Sequence, residues 1–228
     1  MVAKSTGRPK AGYKNAAGES VPGVTTIIGR FKDSGPLLFW AFGQGKLAEQ
    51  GKISNLYDKR DEAAEAGTLA HALIEATIHG GDPAALCAAH PIAETREKAW
   101  NAWNQYKKWA AQTGIEIVAT EMPLVSEKYQ FGGTPDAIGR LGGELVLLDW
   151  KTSNGVYQDY LIQLAAYKVL IEECTKYRIT GGFHLLRFAK ESADFAHHYW
   201  GELDDAWRTF VLFREAFDLD KKLKKRAA

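Results

Sequence analysis

A chain of 228 residues with 46% apolar and 25% charged residues has the size and balance of one well-buried globular domain, and is too short for two full-sized ones. Its formal net charge of +1 excludes a protein that coats nucleic acid by bulk electrostatics, and no apolar stretch approaches the length of a membrane span. Cys87 and Cys174 are far apart and lack CxxC spacing, which excludes a disulfide framework, a zinc finger and a four-cysteine iron–sulfur cluster.

The first twenty residues, beginning "MVAKSTGRPKAGYK", are polar and basic and carry no hydrophobic signal core, so a flexible N-terminus and cytosolic residence are expected. Lys4, Arg8, Lys10 and Lys14 here, and "KKLKKR" (Lys221 to Arg226) at the other end, read as solvated, frayed ends before they read as DNA contacts. Order begins at "VPGVTTIIGRF", behind the punctuation of Pro22 and Gly23. Pro36 to Glu49 has helical spacing with proline in a first-turn position, weakened by Gly43 and Gly45. Arg60 to Ile78 is a stronger helix, because Leu69, Leu73, Ile74 and Ile78 recur at three- and four-residue intervals. "GGDPAA" breaks it. Ile92 to Gln112 is a third helix, with Trp100, Trp103, Tyr106 and Trp109 as core candidates and Gly114 as its stop.

Beyond Gly114 the pattern changes. "IEIVATEMPLV", "FGGTPDAIGRL" and "GELVLLDWKT" read as three successive strands, with Gly142 and Gly143 where a hairpin turn belongs. Tyr157 to Glu173 returns to helical spacing, "RITGGFHLLRF" and "FAHHYWGEL" read as two more strands, and Asp204 to Lys225 as a final amphipathic helix. His197 and His198 are adjacent on a strand and so face opposite ways; they read as structural. The expected organisation is one domain over 21–228, helical over about 21–114 and mixed α/β over about 115–228, with helices covering a central mixed sheet.

"LLDWKTS" (Leu147 to Ser153) carries the chemistry. An apolar run that reads as a buried strand ends in Asp149 and Lys151, opposite charges on one face because side chains alternate with a period of two. Ionised groups at the end of a buried strand are costly unless paired, metal-bound or used. Asp136 follows "GGTP" on the preceding strand, so a hairpin brings the two carboxylates to one sheet edge, where they suit a hard divalent cation. Lys151 would then position a metal-bound water or stabilise negative charge developing on phosphate. His71 lies among Leu69 and Leu73, with Glu75 one turn on as a partner able to orient the ring; spacing alone leaves a metal ligand and a packed histidine equally open.

The ordered set "GTPD", "LLDWKTS" and "QLAAY" resembles the PD-(D/E)XK nuclease superfamily. It is most similar to the RecB-like exonuclease branch, which includes phage exonucleases and the mitochondrial genome maintenance exonuclease. A lone D-x-K is worthless; the set in strand–turn–strand–helix order is specific, covering about 115–170 and, more loosely, "VPGVTTIIGR" through His71. The resemblance implies a restriction-endonuclease-like core with an N-terminal helical extension. It also implies Mg²⁺ or Mn²⁺ held by His71, Asp136, Asp149 and the carbonyl of Trp150, with Glu121 on the first strand as a further candidate. Asp136, Asp149 and Lys151 would be catalytic, with Gln163 and Tyr167, one helical turn apart, buttressing the site or contacting substrate. Thr152 and Ser153 would donate to phosphate or cap the next turn, and Trp40 and Phe42 are candidates for stacking on single-stranded bases. The implied function is a metal-dependent deoxyribonuclease, an exonuclease on single-stranded DNA ends in phage-type recombination or DNA processing, with a recombination protein as partner. An endonuclease on the same fold and a DNA-binding subunit with a degenerate site are the alternatives. The two cysteines cannot hold the iron–sulfur cluster of some RecB-like relatives, and no P-loop for a helicase motor is present.

Overall fold

The computed structural model describes residues 7, 9–52, 58–189 and 194–227; Lys4 and Arg8 of the basic N-terminus lie outside them. A short hairpin comes first, β1 (Tyr13–Lys14) with β2 (Ser20–Val21). Five helices follow: α1 (Val24–Arg30), α2 (Gly35–Glu49), α3 (Asp58–Ile78), α4 (Pro83–Ala88) and α5 (Ala93–Thr113). Then come β3 (Glu116–Thr120), β4 (Leu124–Ser126), β5 (Phe131–Gly133), β6 (Ala137–Leu141) and β7 (Glu144–Thr152). The chain closes with α6 (Gln158–Cys174), β8 (Phe183–Phe188), β9 (Phe195–Trp200) and α7 (Asp204–Ala227). Among the described residues no helix is long and apolar enough to cross a membrane.

The main sheet has the order β3-β6-β7-β8-β9 and is antiparallel except for the parallel β7–β8 pair, whose crossover is α6. The resulting mixed sheet, with helices on both faces, is the expected class. β7 is central and buried on both faces, which is why its sequence is a continuous apolar run rather than an alternation. Its odd positions, Leu145 and Leu147, pack with α1, α6 and α7 around Phe131, Leu164, Leu170 and Phe210. Its even positions, Val146, Leu148 and Trp150, pack with α3 and α5 around Leu73, Trp103, Tyr106 and Trp109. The tryptophan-rich helix is thus core on the second face, as its spacing suggests.

Gly142 and Gly143, both at positive φ (59° and 90°), form the two-residue turn between Leu141 and Glu144; two left-handed residues match the twist of the flanking strands. The three-strand meander is interrupted, however. The first expected strand divides into β3 and β4 around Glu121–Pro123, the second into β5 and β6 around Thr134–Asp136, and β4–β5 form a separate two-stranded sheet. Pro123 and Pro135 have no N–H for a ladder, and Glu121 has φ +43°, outside the extended region. α4 was not among the expected elements. The Asp82 carboxylate caps it, accepting from the N–H groups of Ala84 and Ala85 at 2.9 and 3.0 Å, with Pro83 at its first position. The basic stretch Lys221 to Arg226 is the last turn and a half of α7 rather than a frayed end, its cations lying at the negative pole of the helix.

His197 accepts at Nδ1 from Trp109 Nε1–H (3.2 Å), donates through Nε2 to His184 Nδ1 (2.8 Å), and His184 Nε2 donates to the Gly181 carbonyl (3.3 Å). That chain fixes both tautomers as neutral imidazoles, and burial lowers both pKa values. His198 points the other way, stacked beside Trp200.

The stretch expected to be loose over residues 1–20 carries the β1–β2 hairpin. Tyr13 is buried, its ring lying against Gly132 and its hydroxyl 2.9 Å from Thr134 Oγ1. A Cβ at Gly132 would land on the Tyr13 ring. Gly132→Ala is therefore expected to expel Tyr13, lose about 1–3 kcal/mol of stability, and raise proteolysis and amide exchange over 13–21 while the main sheet stays protected. Unchanged exchange in the hairpin would refute the packing.

Candidate active site

The β6–β7 register pairs Ala137 with Leu148, so Asp136, one residue before β6, stands across from Asp149. Asp136 is clamped there by the Trp150 N–H, which donates to its Oδ2 at 2.8 Å. Asp149 and Lys151 share the α6 face of β7, Nζ lying 2.5 Å from Asp149 Oδ2. That oxygen is buried and has no hydrogen-bond donor aligned on it, so the ammonium meets it as an ion pair. The other oxygen of Asp149 receives Gln163 Nε2 at 3.4 Å, and the same amide donates to Tyr167 Oη at 3.1 Å. Gln163 and Tyr167 share a face of α6, as their four-residue spacing requires.

From the opposite side α3 brings His71, whose Nε2 lies 3.1 Å from the Trp150 carbonyl and whose Nδ1 lies 3.9 Å from Asp136 Oδ1. A carbonyl only accepts, so Nε2 carries the proton. Glu75, expected to orient this ring, instead reaches toward His79, 4.0 Å away; the Trp150 carbonyl does the orienting. α3 approaches β7 closely because Gly67 has no side chain where the Thr152 hydroxyl sits.

Burial governs the ionisation of the cluster. It pushes Asp149 up to about 6, against the pull of Lys151, and raises Asp136 against both Lys151 and the Trp150 N–H. It lowers His71 to about 4, with Lys151 adding to the effect. Burial also works against the charged Lys151, but Asp149 and Asp136 outweigh it and hold the ammonium above its ordinary value. Tyr167 is raised well above its ordinary value by burial and by the two carboxylates.

Glu121 does not lie on the first strand. It follows β3 in a left-handed conformation, with its N–H donating to the Asp136 carbonyl at 3.0 Å. It faces Asp136 and Tyr167 across a cavity of about 200 Å³ that Tyr13, Thr134 and Gly133 also line. A larger, mainly apolar cavity of about 560 Å³ between α3, α5 and β3 has Lys107 on its wall and none of the residues of this cluster. Thr152 packs on Gly67, and Ser153 is buried with its hydroxyl donating to the Gly155 carbonyl at 2.8 Å, which closes the loop after β7. Trp40 is half-buried on α2; no hydrogen bond or ring contact among the described residues joins it to the cluster, and Phe42 is exposed under Lys46. The sequence reading missed Tyr160, whose ring lies 5.3 Å from Lys151 Nζ and whose place three residues before Gln163 puts it on the same helix face, and Tyr13, for which no local signal exists.

Among the described residues, no three His, Cys, Asp or Glu side chains already converge as a coordination set, and Lys151 is the counter-ion of Asp149. The donor chemistry nevertheless fits a divalent cation. Two desolvated carboxylates, one with an unaligned buried oxygen, a neutral imidazole and a carbonyl are groups whose burial a cation would offset.

A family model described as the PD-(D/E)XK nuclease superfamily matches residues 46–218. No curated protein matches the chain. Among solved structures the chain is similar to a candidate exonuclease from Eubacterium rectale, with 12% identity and TM-score 0.46, over 64% of this chain and 64% of that one. It is also similar to an alkaline exonuclease from Laribacter hongkongensis, with 16% identity and TM-score 0.38, over 60% of this chain and 76% of that one. The same enzyme in complex with dAMP gives 14% identity and TM-score 0.40, over 73% and 90%. The chain thus spans just under two thirds of the Eubacterium rectale protein's length.

In metal-free protein the usual order of titration is expected to be inverted, with Asp149 taking up its proton near pH 6 while His71 stays neutral down to about pH 4. The raised Asp149 contributes stability that is present below about 3.8 and lost as pH rises through 6. The depressed His71 contributes stability that is present above 6.5 and lost as pH falls through 4. The two oppose each other, so the acid limb of the stability profile should be flatter than either group alone would make it. Carboxyl and imidazole NMR titrations in EDTA read both groups; Asp149 titrating near 4 would overturn the burial account.

Proposed function

Because the chain belongs to the PD-(D/E)XK nuclease superfamily, we propose that it is a divalent-metal-dependent deoxyribonuclease of the RecB-like exonuclease branch, hydrolysing phosphodiester bonds from the end of a single DNA strand. The observation that carries this is the pairing of Asp136 and Asp149 across the β6–β7 hairpin with Lys151 ion-paired at the end of a strand buried on both faces. Asp136, Asp149, the Trp150 carbonyl and His71 would hold Mg²⁺ or Mn²⁺, with Glu121 as a further oxygen donor from across the cavity. The bound ion supplies Lewis acidity, making water a stronger acid and neutralising charge on a phosphate oxygen.

The chain's own groups do the rest. Lys151, kept charged by two carboxylates, orients the attacking water and neutralises the negative charge that gathers on the phosphate oxygens. Water attacks phosphorus in line and gives up a proton as the bond to the leaving oxygen breaks, and the leaving oxygen takes up a proton from solvent, so that the net change is one water consumed per bond cut. The resemblance implies 5′-phosphate products. Gln163 holds Asp149 and Tyr167 in register, and Tyr167, with its proton held far above neutral pH, is a neutral hydroxyl rather than a base. DNA is the partner this chemistry needs; phage-type recombination or DNA processing in a bacterial or phage-infected cytosol, alongside a recombination protein, is the setting that goes with it.

Lys151→Ala is expected to reduce cleavage by at least about 100-fold while circular dichroism and single-stranded DNA binding stay close to wild type; a variant that cut at the wild-type rate would remove Lys151 from the mechanism. Asp149→Ala should lose both metal binding, read by calorimetry, and activity. Linear single-stranded DNA should be degraded with Mg²⁺ or Mn²⁺ and spared with EDTA, whereas covalently closed circles should resist. Cutting of the circles would transfer the reading to an endonuclease on the same fold, and metal-independent DNA binding with no cutting at all would transfer it to a degenerate site.

A further inference from the structure

α6 opens beside the carboxylate cluster with two tyrosines that the hydrolytic chemistry does not use. Tyr157 precedes the first turn in an extended conformation (φ −117°, ψ 150°), and half of its surface is open to solvent. Its ring meets that of Tyr160 edge-on, with centroids 5.5 Å apart and planes at 83°. Tyr160 in turn has Lys151 Nζ 5.3 Å from its ring centroid, and Lys32 Nζ lies 5.9 Å from the centroid of Tyr157. Lys151, Tyr160, Tyr157 and Lys32 therefore make a continuous cation–ring–ring–cation strip running from the proposed scissile centre to the surface.

The strip has the two things a single strand offers partners for, a π-face on every base and a charge on every phosphate. Lys32 is ion-paired with Asp159 at 2.6 Å; the carboxylate is 17% exposed but the lysine side chain is 57% exposed, so the ammonium keeps an open side on which a phosphate can add to the pair. The half of Tyr157 that Tyr160 and Lys32 leave uncovered is open to a ligand. Nothing in the strip distinguishes one base from another.

We propose that Tyr157, backed by Tyr160, is the stacking step for a base beside the scissile phosphate, and that Lys32 takes the next phosphate outward, gripping a single strand without regard to sequence. This rests on the nuclease reading of the adjoining site. Tyr157 and Lys32 bind and position the strand; Lys151 and the carboxylates serve the hydrolytic step.

The test is fluorescence anisotropy of the full chain with a labelled oligothymidylate in EDTA, alongside digestion of linear single-stranded DNA with Mg²⁺ or Mn²⁺. Tyr157→Ala should weaken binding about 10-fold and raise KM, and Tyr157→Phe, which keeps the ring, should restore both. An oligonucleotide with abasic residues should bind wild type and Tyr157→Ala alike. Lys32→Ala should reduce the slope of log K against log salt by about 0.7, the loss of one phosphate contact on a single strand. If wild type binds and cuts but Tyr157→Ala matches it on intact DNA, the strip proposal is overturned and the nuclease reading stands. If wild type neither binds nor cuts, both are overturned.

Discussion

A carboxylate and an ammonium sit at the end of a strand buried on both faces, and the surrounding structure accommodates them. Asp149 is 1% exposed, and Lys151 is the counter-ion that offsets the burial of its charge. Its own strand and three other segments supply the groups around it. The hairpin supplies Asp136, α6 supplies Gln163, Lys151 arrives two residues along the same strand, and α3 brings His71 over the far edge. Burial dominates the ionisation of Asp149, Asp136 and His71, whereas Lys151 is held charged against burial by the two carboxylates.

The sheet separates two apolar cores, and the charged cluster lies at the seam between them. Trp150 shows how the seam is built. Its side chain packs into the α3–α5 core against Tyr106, while its N–H fixes Asp136 and its carbonyl fixes His71. A residue that is core by its side chain is therefore part of the site by its backbone. Glu121 at φ +43° stores local strain, of order 1–3 kcal/mol, beside the cavity wall, and its N–H anchors the backbone of Asp136. Strain next to the carboxylates suits a wall that must present an acidic side chain inward rather than continue the strand.

Much of this was legible beforehand, for physical reasons that are local. The period of two put Asp149 and Lys151 on one face, the four-residue spacing put Gln163 beside Tyr167, and the Gly142–Gly143 pair fixed a register that sets Asp136 opposite Asp149. α3 and α5 followed from their apolar intervals. Where the reading erred, local chemistry had also been overlooked. Pro123 and Pro135 break the strands they sit in, and Asp82–Pro83 is a helix start.

Other features have no local signature. Tyr13 fits against Gly132 across more than a hundred residues of chain, Glu75 turns to His79 rather than His71, and Ser153 uses its hydroxyl on its own loop. The alignment of Tyr160 and Tyr157 between Lys151 and Lys32 belongs with them, because Lys32 comes from the segment after α1. Sequence by itself determined which residue types share a face and where turns fall, since those depend on backbone periodicity within a few residues. Tertiary structure alone decided which distant groups meet the buried pair and how far burial moves their protons, since desolvation depends on everything packed around a group and not on its neighbours in the chain.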